Sequence, residues 1–231
     1  MSQIHFIGGE KGGVGKSVMA RVLSQWLLDR SQPYAGADAD TTNGSLLRSY
    51  SQNTQAVDLE SFPSADEIMN RALGGDRRVV VDLPAQSMRH LQRWFDSADI
   101  VRFAREMGIG LTLFHVSDGG FDSVASLERT LQSLGDRFNY VVVRNFGRSK
   151  DFSQLEQSEA KRHLEGLGGR QIDLPELEPS TMYKIDRFGS SFWSAVNNEE
   201  APWALTPMER QRVRAWLERC YQGLESLGDR I

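Results

Sequence analysis

The stretch Gly9-Glu10-Lys11-Gly12-Gly13-Val14-Gly15-Lys16-Ser17 concentrates glycines, two ammonium groups and a hydroxyl in one short segment. Glycine admits backbone conformations closed to other residues, so such a segment can curl until successive N–H groups point at one anion. A helix starting just beyond it would add the partial positive charge of its N-terminus at the same spot. In that setting Lys16 reaches the β- and γ-phosphates of a nucleotide and the Ser17 hydroxyl holds Mg²⁺. Two further groups supply carboxylates. Asp38 and Asp40 are two residues apart in Asp38-Ala39-Asp40-Thr41-Thr42-Asn43-Gly44. Asp82 ends the apolar run Val79-Val80-Val81, the pattern in which a carboxylate holds Mg²⁺ through water.

These groups need a scaffold, and the hydrophobic pattern supplies one. Residues 4–7 are a short apolar strand, and Val18, Val22, Leu23, Trp26 and Leu27 recur at helical spacing until Pro33 forbids continuation. A weak strand at 34–37 precedes the paired aspartates. Residues 45–75 read as polar and irregular, with a short helix from 65 to 73 closed by Gly74-Gly75. Strands follow at 79–82, 109–116, 140–145 and 171–174, with helices at 88–97, 98–107, 121–134, 154–165 and 182–196 between or after them. Thr206-Pro207-Met208-Glu209 opens a final helix with a cap, a proline at the first position and a glutamate completing the box. Strands alternating with helices imply a mostly parallel twisted α/β sheet covered by helices on both faces. Ligands bind such sheets at the carboxyl ends of the strands, where Asp38, Asp40 and Asp82 all fall.

The chain of 231 residues is expected to form a single domain, 1–231, with ample length for a core. No apolar run approaches the roughly 18 residues of a membrane span, and the immediate entry into a strand leaves no room for a signal peptide. Cys220 is the only cysteine, so no intramolecular disulfide can form and a cytoplasmic location is expected. His5, His90, His115 and His163 lack metal-ligand spacing. The net charge of −4 does not mark a dedicated nucleic-acid protein. Yet only five of the 27 basic residues are lysines, so the positive surface is almost wholly guanidinium, suited to phosphates and carboxylates.

The loop departs from the ordinary P-loop, whose first glycine would stand where Glu10 is. It fits the deviant Walker A form K-G-G-x-G-K-[ST], with Lys11 at its front, and so resembles the ParA/MinD family of P-loop ATPases. The resemblance implies binding of ATP and Mg²⁺, with Gly12, Gly13, Val14, Gly15, Lys16 and Ser17 around the phosphates and Lys11 reaching the nucleotide of a partner subunit. Asp38-Ala39-Asp40 resembles the family's D-x-D switch, which makes Asp40 the residue that orients the attacking water and Asp38 a structural or Mg²⁺-network partner. Asp82-Leu83-Pro84-Ala85 looks like its second switch, with Asp82 on the metal. Asn145, at a strand end, becomes the base-contacting residue by resemblance and an ordinary strand-end cap by composition. Residues 171–175, with Pro175, would close over the base.

By the same resemblance the chain is a slow, partner-stimulated ATP hydrolase that forms an ATP-dependent homodimer. It would act in plasmid or chromosome partition or cargo positioning, with a DNA-binding adaptor or other stimulating protein and nonspecific DNA as partners. Thr41-Thr42 stands where the ParA branch continues Pro-Gln, and an accessory ATPase of conjugative transfer or plasmid stability, acting through a protein partner, is the alternative. Neither a ligase nor an amidase reading finds support, since Cys220 sits on a helix face. The last helix could mimic a membrane anchor, but its cap and its stripe of Val213, Trp216, Leu217, Cys220 and Leu224 point to packing against the body, with no membrane partner.

Overall fold

The computed structural model describes residues 1–73, 75–228 and 231. In chain order the elements are β1 (Gln3–Gly8), α1 (Lys16–Asp29), β2 (Tyr34–Asp38), α2 (Ser45–Ser49), β3 (Thr54–Ala56), α3 (Phe62–Leu73), β4 (Arg78–Asp82), α4 (Met88–Ser97) and α5 (Ile100–Glu106). They continue as β5 (Gly110–Ser117), α6 (Phe121–Leu134), β6 (Asn139–Asn145), α7 (Ser153–Glu156), α8 (Glu159–Gly166), β7 (Arg170–Leu174), α9 (Pro179–Arg187), α10 (Phe192–Asn197) and α11 (Pro207–Glu225).

The strands form one seven-stranded sheet in the order β3-β2-β4-β1-β5-β6-β7, every pairing parallel. Parallel neighbours need crossovers, and the helices provide them on both faces. Side chains alternate across the sheet accordingly. Ile4, Phe6, Val79, Val81, Tyr140 and Val142 pack under α3, α4, α5, α6 and α8. Ile7, Val80, Phe114, Val116, Val141 and Val143 pack under α1, α9, α10 and α11. Because β1 is central and the chain leaves it first to one side and later to the other, the crevice beyond its carboxyl end is the topological switch point.

Several expected boundaries move. Residues 45–75, read as mostly irregular, contain α2, the edge strand β3 and a longer α3. β3 has only the residues Thr-Gln-Ala, with no alternation to betray it, and α2 is little more than one turn tied down by the Asp38 carboxylate. The closing pair Gly74-Gly75 lies partly outside the described residues, at Gly74. The helix expected at 154–165 breaks in two where Ser158 caps α8 by accepting from the Lys161 N–H at 3.1 Å. That expected at 182–196 is split by Gly189, at φ 57°, and by the Ser191 cap of α10. The capping box of α11 is present, with Thr206 and Glu209 exchanging side-chain-to-backbone hydrogen bonds.

α11 is part of the body. Val213, Trp216, Leu217, Cys220 and Leu224 are buried along one face, and burial pushes the Cys220 thiol far above its ordinary range. Trp216 also donates from Nε1 to the Pro175 carbonyl at 2.7 Å, tying α11 to the loop after β7. No helix among the described residues is long and apolar enough to cross a membrane. Trp216→Ala should destabilise the fold by about 3–5 kcal/mol, the usual cost of truncating a buried tryptophan, and urea unfolding followed by circular dichroism reads that loss.

Candidate functional site

The glycine-rich segment bridges the end of β1 and the start of α1, and two contacts explain its glycines. Gly9 has φ 138°, and a Cβ there would stand 2.8 Å from the Val116 carbonyl oxygen of β5. Gly15, at φ 104°, ends the loop against the Asn145 side chain, where a Cβ would approach Nδ2 to 2.2 Å. The loop therefore turns within the space that β5 and β6 leave free. Asn145, which is buried, donates to the Val14 carbonyl at 2.6 Å and accepts from the Gly147 N–H at 2.9 Å. It braces the loop from the end of β6 and fixes the turn that follows its own strand.

Lys16, the first residue of α1, folds back over the loop and donates to the Lys11 carbonyl at 3.0 Å. Its side chain is buried, and desolvation lowers its pKa against the pull of Asp82, Asp40 and Glu10. Lys11 points elsewhere, donating to Asp118 Oδ2 at 2.6 Å. Asp118 follows β5 and is itself anchored by the Ser123 hydroxyl at 2.6 Å and the Gly120 N–H at 3.1 Å. Ser117-Asp118-Gly119-Gly120 reads as a turn in the sequence, and its grip on Lys11 has no local signal because the partners are separated by 107 residues of chain.

The three aspartates meet at the carboxyl edge. Asp38 and Asp82 are register partners across β2 and β4. Asp38 accepts from the Asp40 N–H at 3.1 Å and the Leu47 N–H at 2.8 Å, so it anchors both its own loop and α2. Burial raises its pKa despite those bonds. Asp40 is half-exposed and accepts from the N–H groups of Thr42 and Asn43 and from the Asn43 amide at 3.0 Å. Burial works against its charge, but the Asn43 amide, the two backbone donors and Lys16 outweigh it and hold the carboxyl below the usual range. The Thr-Thr-Asn sequence after Asp40 thus makes a turn that keeps the carboxylate ionised.

Asp82 is the exception among them. It is fully buried, and neither of its oxygens has a hydrogen-bond partner among the described residues. Desolvation, reinforced by Asp38, pushes its pKa up to about 7, while the nearby Ser17 hydroxyl and Lys16 ammonium pull the other way. A buried carboxylate costs free energy unless something compensates it. A divalent cation beside it would do so, and the Ser17 hydroxyl is near enough to act on the same carboxyl. No cluster of three or more His, Cys, Asp or Glu ligands occurs among the described residues.

A cleft of about 330 Å³ opens beside the loop, lined by Gly15, Asn145, Pro175, Leu177, Met182 and Tyr183 among others. Its apolar walls and position next to the loop suit a flat heterocycle. Asn145 and Pro175 both line the cleft. Asn145 has its amide engaged with Val14 and Gly147, and so ties the loop to the cleft.

The raised pKa of Asp82 has a signed consequence. Between pH 4 and about 7 the folded chain keeps a proton that the unfolded chain has released, so stability falls as pH rises through that window. Without ligand, Asp82→Asn should therefore raise Tm at pH 8 and change it little at pH 5. A gain of 1 kcal/mol corresponds to roughly 2–4 °C for a chain of this size, and differential scanning fluorimetry at the two pH values checks it.

Comparison with known proteins gives the following. No family model matches the chain. It is 26% identical to "Protein TraL" of Escherichia coli over 243 aligned positions, covering 98% of both chains. It is 24% identical to "Protein MobD" of Acidithiobacillus ferrooxidans over 179 positions, covering 75% of this chain and 78% of that one. Among solved structures, the septum site-determining protein MinD of Pyrococcus horikoshii, complexed with Mg-ADP, superposes with a TM-score of 0.57 at 15% identity, over 100% of this chain and 99% of that one. In loop sequence and in fold, the chain resembles the ParA/MinD ATPases, and its seven-stranded parallel architecture is the MinD-type P-loop fold.

Proposed function

We propose that the chain is a Mg²⁺-dependent ATPase that pairs with a second copy around ATP and works as a switch. One observation carries the reading: the fully buried, unpartnered Asp82 carboxylate stands beside Ser17 and Lys16 at the mouth of a glycine-rich loop. Without a cation that arrangement is a net cost, and with one it is a binding site. Ser17 and Asp82 would hold Mg²⁺, with Asp38 setting the strand end behind them. The ion, when bound, neutralises phosphate charge. The backbone N–H groups of residues 12–16 face the phosphates, and Lys16 exchanges the Lys11 carbonyl for their oxygens. Asp40, kept ionised by its own turn, orients the attacking water.

Lys11 has a different task. In the single chain its ammonium is held by Asp118, half-exposed at the same edge. To contact a nucleotide across a dimer interface it must leave that carboxylate. Phe121, the first residue of α6 and 72% exposed, lies three residues from Asp118 and offers apolar surface for such an interface. Loss of the γ-phosphate would return Lys11 to Asp118 and loosen the pair. Turnover limited by such a cycle is slow and open to stimulation by a partner.

The output follows one of two routes. The first is partition or cargo positioning, in which ATP-bound dimers bind DNA nonspecifically through arginines and a DNA-binding adaptor stimulates them. The second is an accessory ATPase of conjugative transfer or plasmid stability that works through a protein partner. The second is favoured by one observation: a relative aligned over 98% of both chains bears the name TraL and another bears the name MobD. Binding to random-sequence duplex DNA with ATP, ADP or no nucleotide, across a salt series, separates them. Salt-sensitive binding with ATP alone supports the first route, and ATP-dependent dimers without DNA binding support the second.

Lys16→Ala should abolish ATP binding, read by equilibrium binding of a fluorescent ATP analogue. Asp40→Ala should bind ATP normally, lose hydrolysis by about 10²-fold or more and accumulate as dimer in size-exclusion chromatography with ATP. Normal hydrolysis by Asp40→Ala would remove Asp40 from its assigned role.

A further inference from the structure

A second cleft, of about 410 Å³, lies between α4 and α6 on the opposite face of the sheet from the base cleft. Arg89 and Arg93 of α4 and Arg129 of α6 line it, together with Met88, Glu10 and Asp96. All three arginines are exposed, and none forms an ion pair with a carboxylate among the described residues. Arg93 instead lies over the Phe62 ring at 5.8 Å. Elsewhere some arginines find acids, as Arg102 does with Asp99 and Arg144 with Glu156 and Asp173, while others, such as Arg105, Arg148 and Arg214, form no ion pair among the described residues. In this cleft three unpaired guanidinium groups share one concavity. At the cleft's exposed edge the Ser133 hydroxyl donates to Gln92 Oε1 at 3.2 Å and bridges the two helices.

This cleft touches the nucleotide loop directly. Glu10, which stands where an ordinary P-loop has its first glycine, accepts from the Met88 N–H at 3.2 Å through its carboxylate. Its carbonyl accepts from the Gln86 N–H at 3.3 Å. Gln86 sits at φ 58°, a left-handed conformation unfavourable for a residue with a side chain. The segment between Asp82 and α4 is therefore pinned to the loop by one residue, and α4 carries two of the three arginines.

We propose that the α4–α6 cleft binds an acidic peptide segment of a partner protein, and that Glu10 transmits its occupancy to the nucleotide loop. Guanidinium groups favour carboxylates in paired, planar contacts. Met88 offers an apolar contact for a side chain between the acids. A nucleic-acid backbone fits less well, because its phosphates repeat at fixed spacing and cannot all avoid Glu10 and Asp96. A peptide can set its acids against the arginines and neutral side chains against those two carboxylates, and the concavity is of side-chain size. The transmission half rests on the nucleotide-switch reading above, whereas docking does not.

The test uses a fluorescein-labelled nonapeptide of Glu-Glu-Leu repeats, its Lys-Lys-Leu counterpart and a labelled short duplex DNA. Anisotropy is measured on the full chain without nucleotide, and release of a fluorescent ADP analogue is measured with and without peptide. Docking predicts that the acidic peptide binds, the basic one does not, and Arg89→Glu/Arg129→Glu weakens the acidic peptide at least tenfold while melting at the wild-type temperature. Transmission predicts that peptide changes ADP release at least threefold in wild type and not in that variant. Acidic-peptide affinity unchanged by the variant, or DNA binding with the same arginine dependence and no peptide binding, overturns the docking. Peptide binding with unaltered ADP release overturns transmission alone. Failure to bind the ADP analogue at all would count against the switch reading and leave docking standing on its anisotropy.

Discussion

A carboxylate buried at the end of a sheet strand with nothing to satisfy it is the constraint around which this site is arranged. Asp82 is carried there by β4, whose apolar residues Val79, Val80 and Val81 bury the strand on both faces. The fold could spare itself the cost with an asparagine or a valine. It keeps instead an acid whose pKa rises to about 7, beside a lysine whose own charge is weakened by burial. Each charge is expensive alone in a poorly solvated pocket, and both become favourable when a cation and a polyanion arrive together. On the proposed reading, stability is held below its attainable value in the free chain and ligand binding recovers it.

The neighbouring elements divide the work of making that site. Asp38 binds backbone N–H groups and fixes the loop that presents Asp40. Asn145 braces the glycine-rich loop from below and ends β6 at the wall of the heterocycle cleft. Trp216 reaches from α11 to the Pro175 carbonyl, so the last helix closes the same cleft from its far side. Glu10 ties the loop to the segment after Asp82. A displacement at any of these contacts alters the geometry of the glycine-rich loop, which is what the proposed switch would require.

The alternation of strands and helices, the parallel sheet and the gathering of Lys16, Ser17, Asp38, Asp40 and Asp82 at one edge were legible because each rests on a local pattern. A glycine run after a strand, a carboxylate ending a valine run and a capped amphipathic helix all declare themselves within a few residues. What escaped was non-local. Asp118 holds Lys11 across 107 residues of chain, and Asn145 reaches Val14 across 131. β3 was missed because an edge strand of three residues carries no periodicity. Glu10, noted only as a departure from a motif, acquires a part once its contacts with residues 86 and 88 are seen.

The central claim, that Asp82 awaits a cation brought with a nucleotide, is tested most directly by proton linkage. Calorimetric titration with ATP and Mg²⁺ at pH 6.5, in buffers of different ionisation enthalpy, counts the protons released on binding. The account predicts that binding requires Mg²⁺, and that wild type releases a large fraction of one proton that Asp82→Asn does not release, because a carboxyl with a pKa near 7 must ionise to meet the ion. Binding that is indifferent to Mg²⁺, or equal proton release from both proteins, would contradict it.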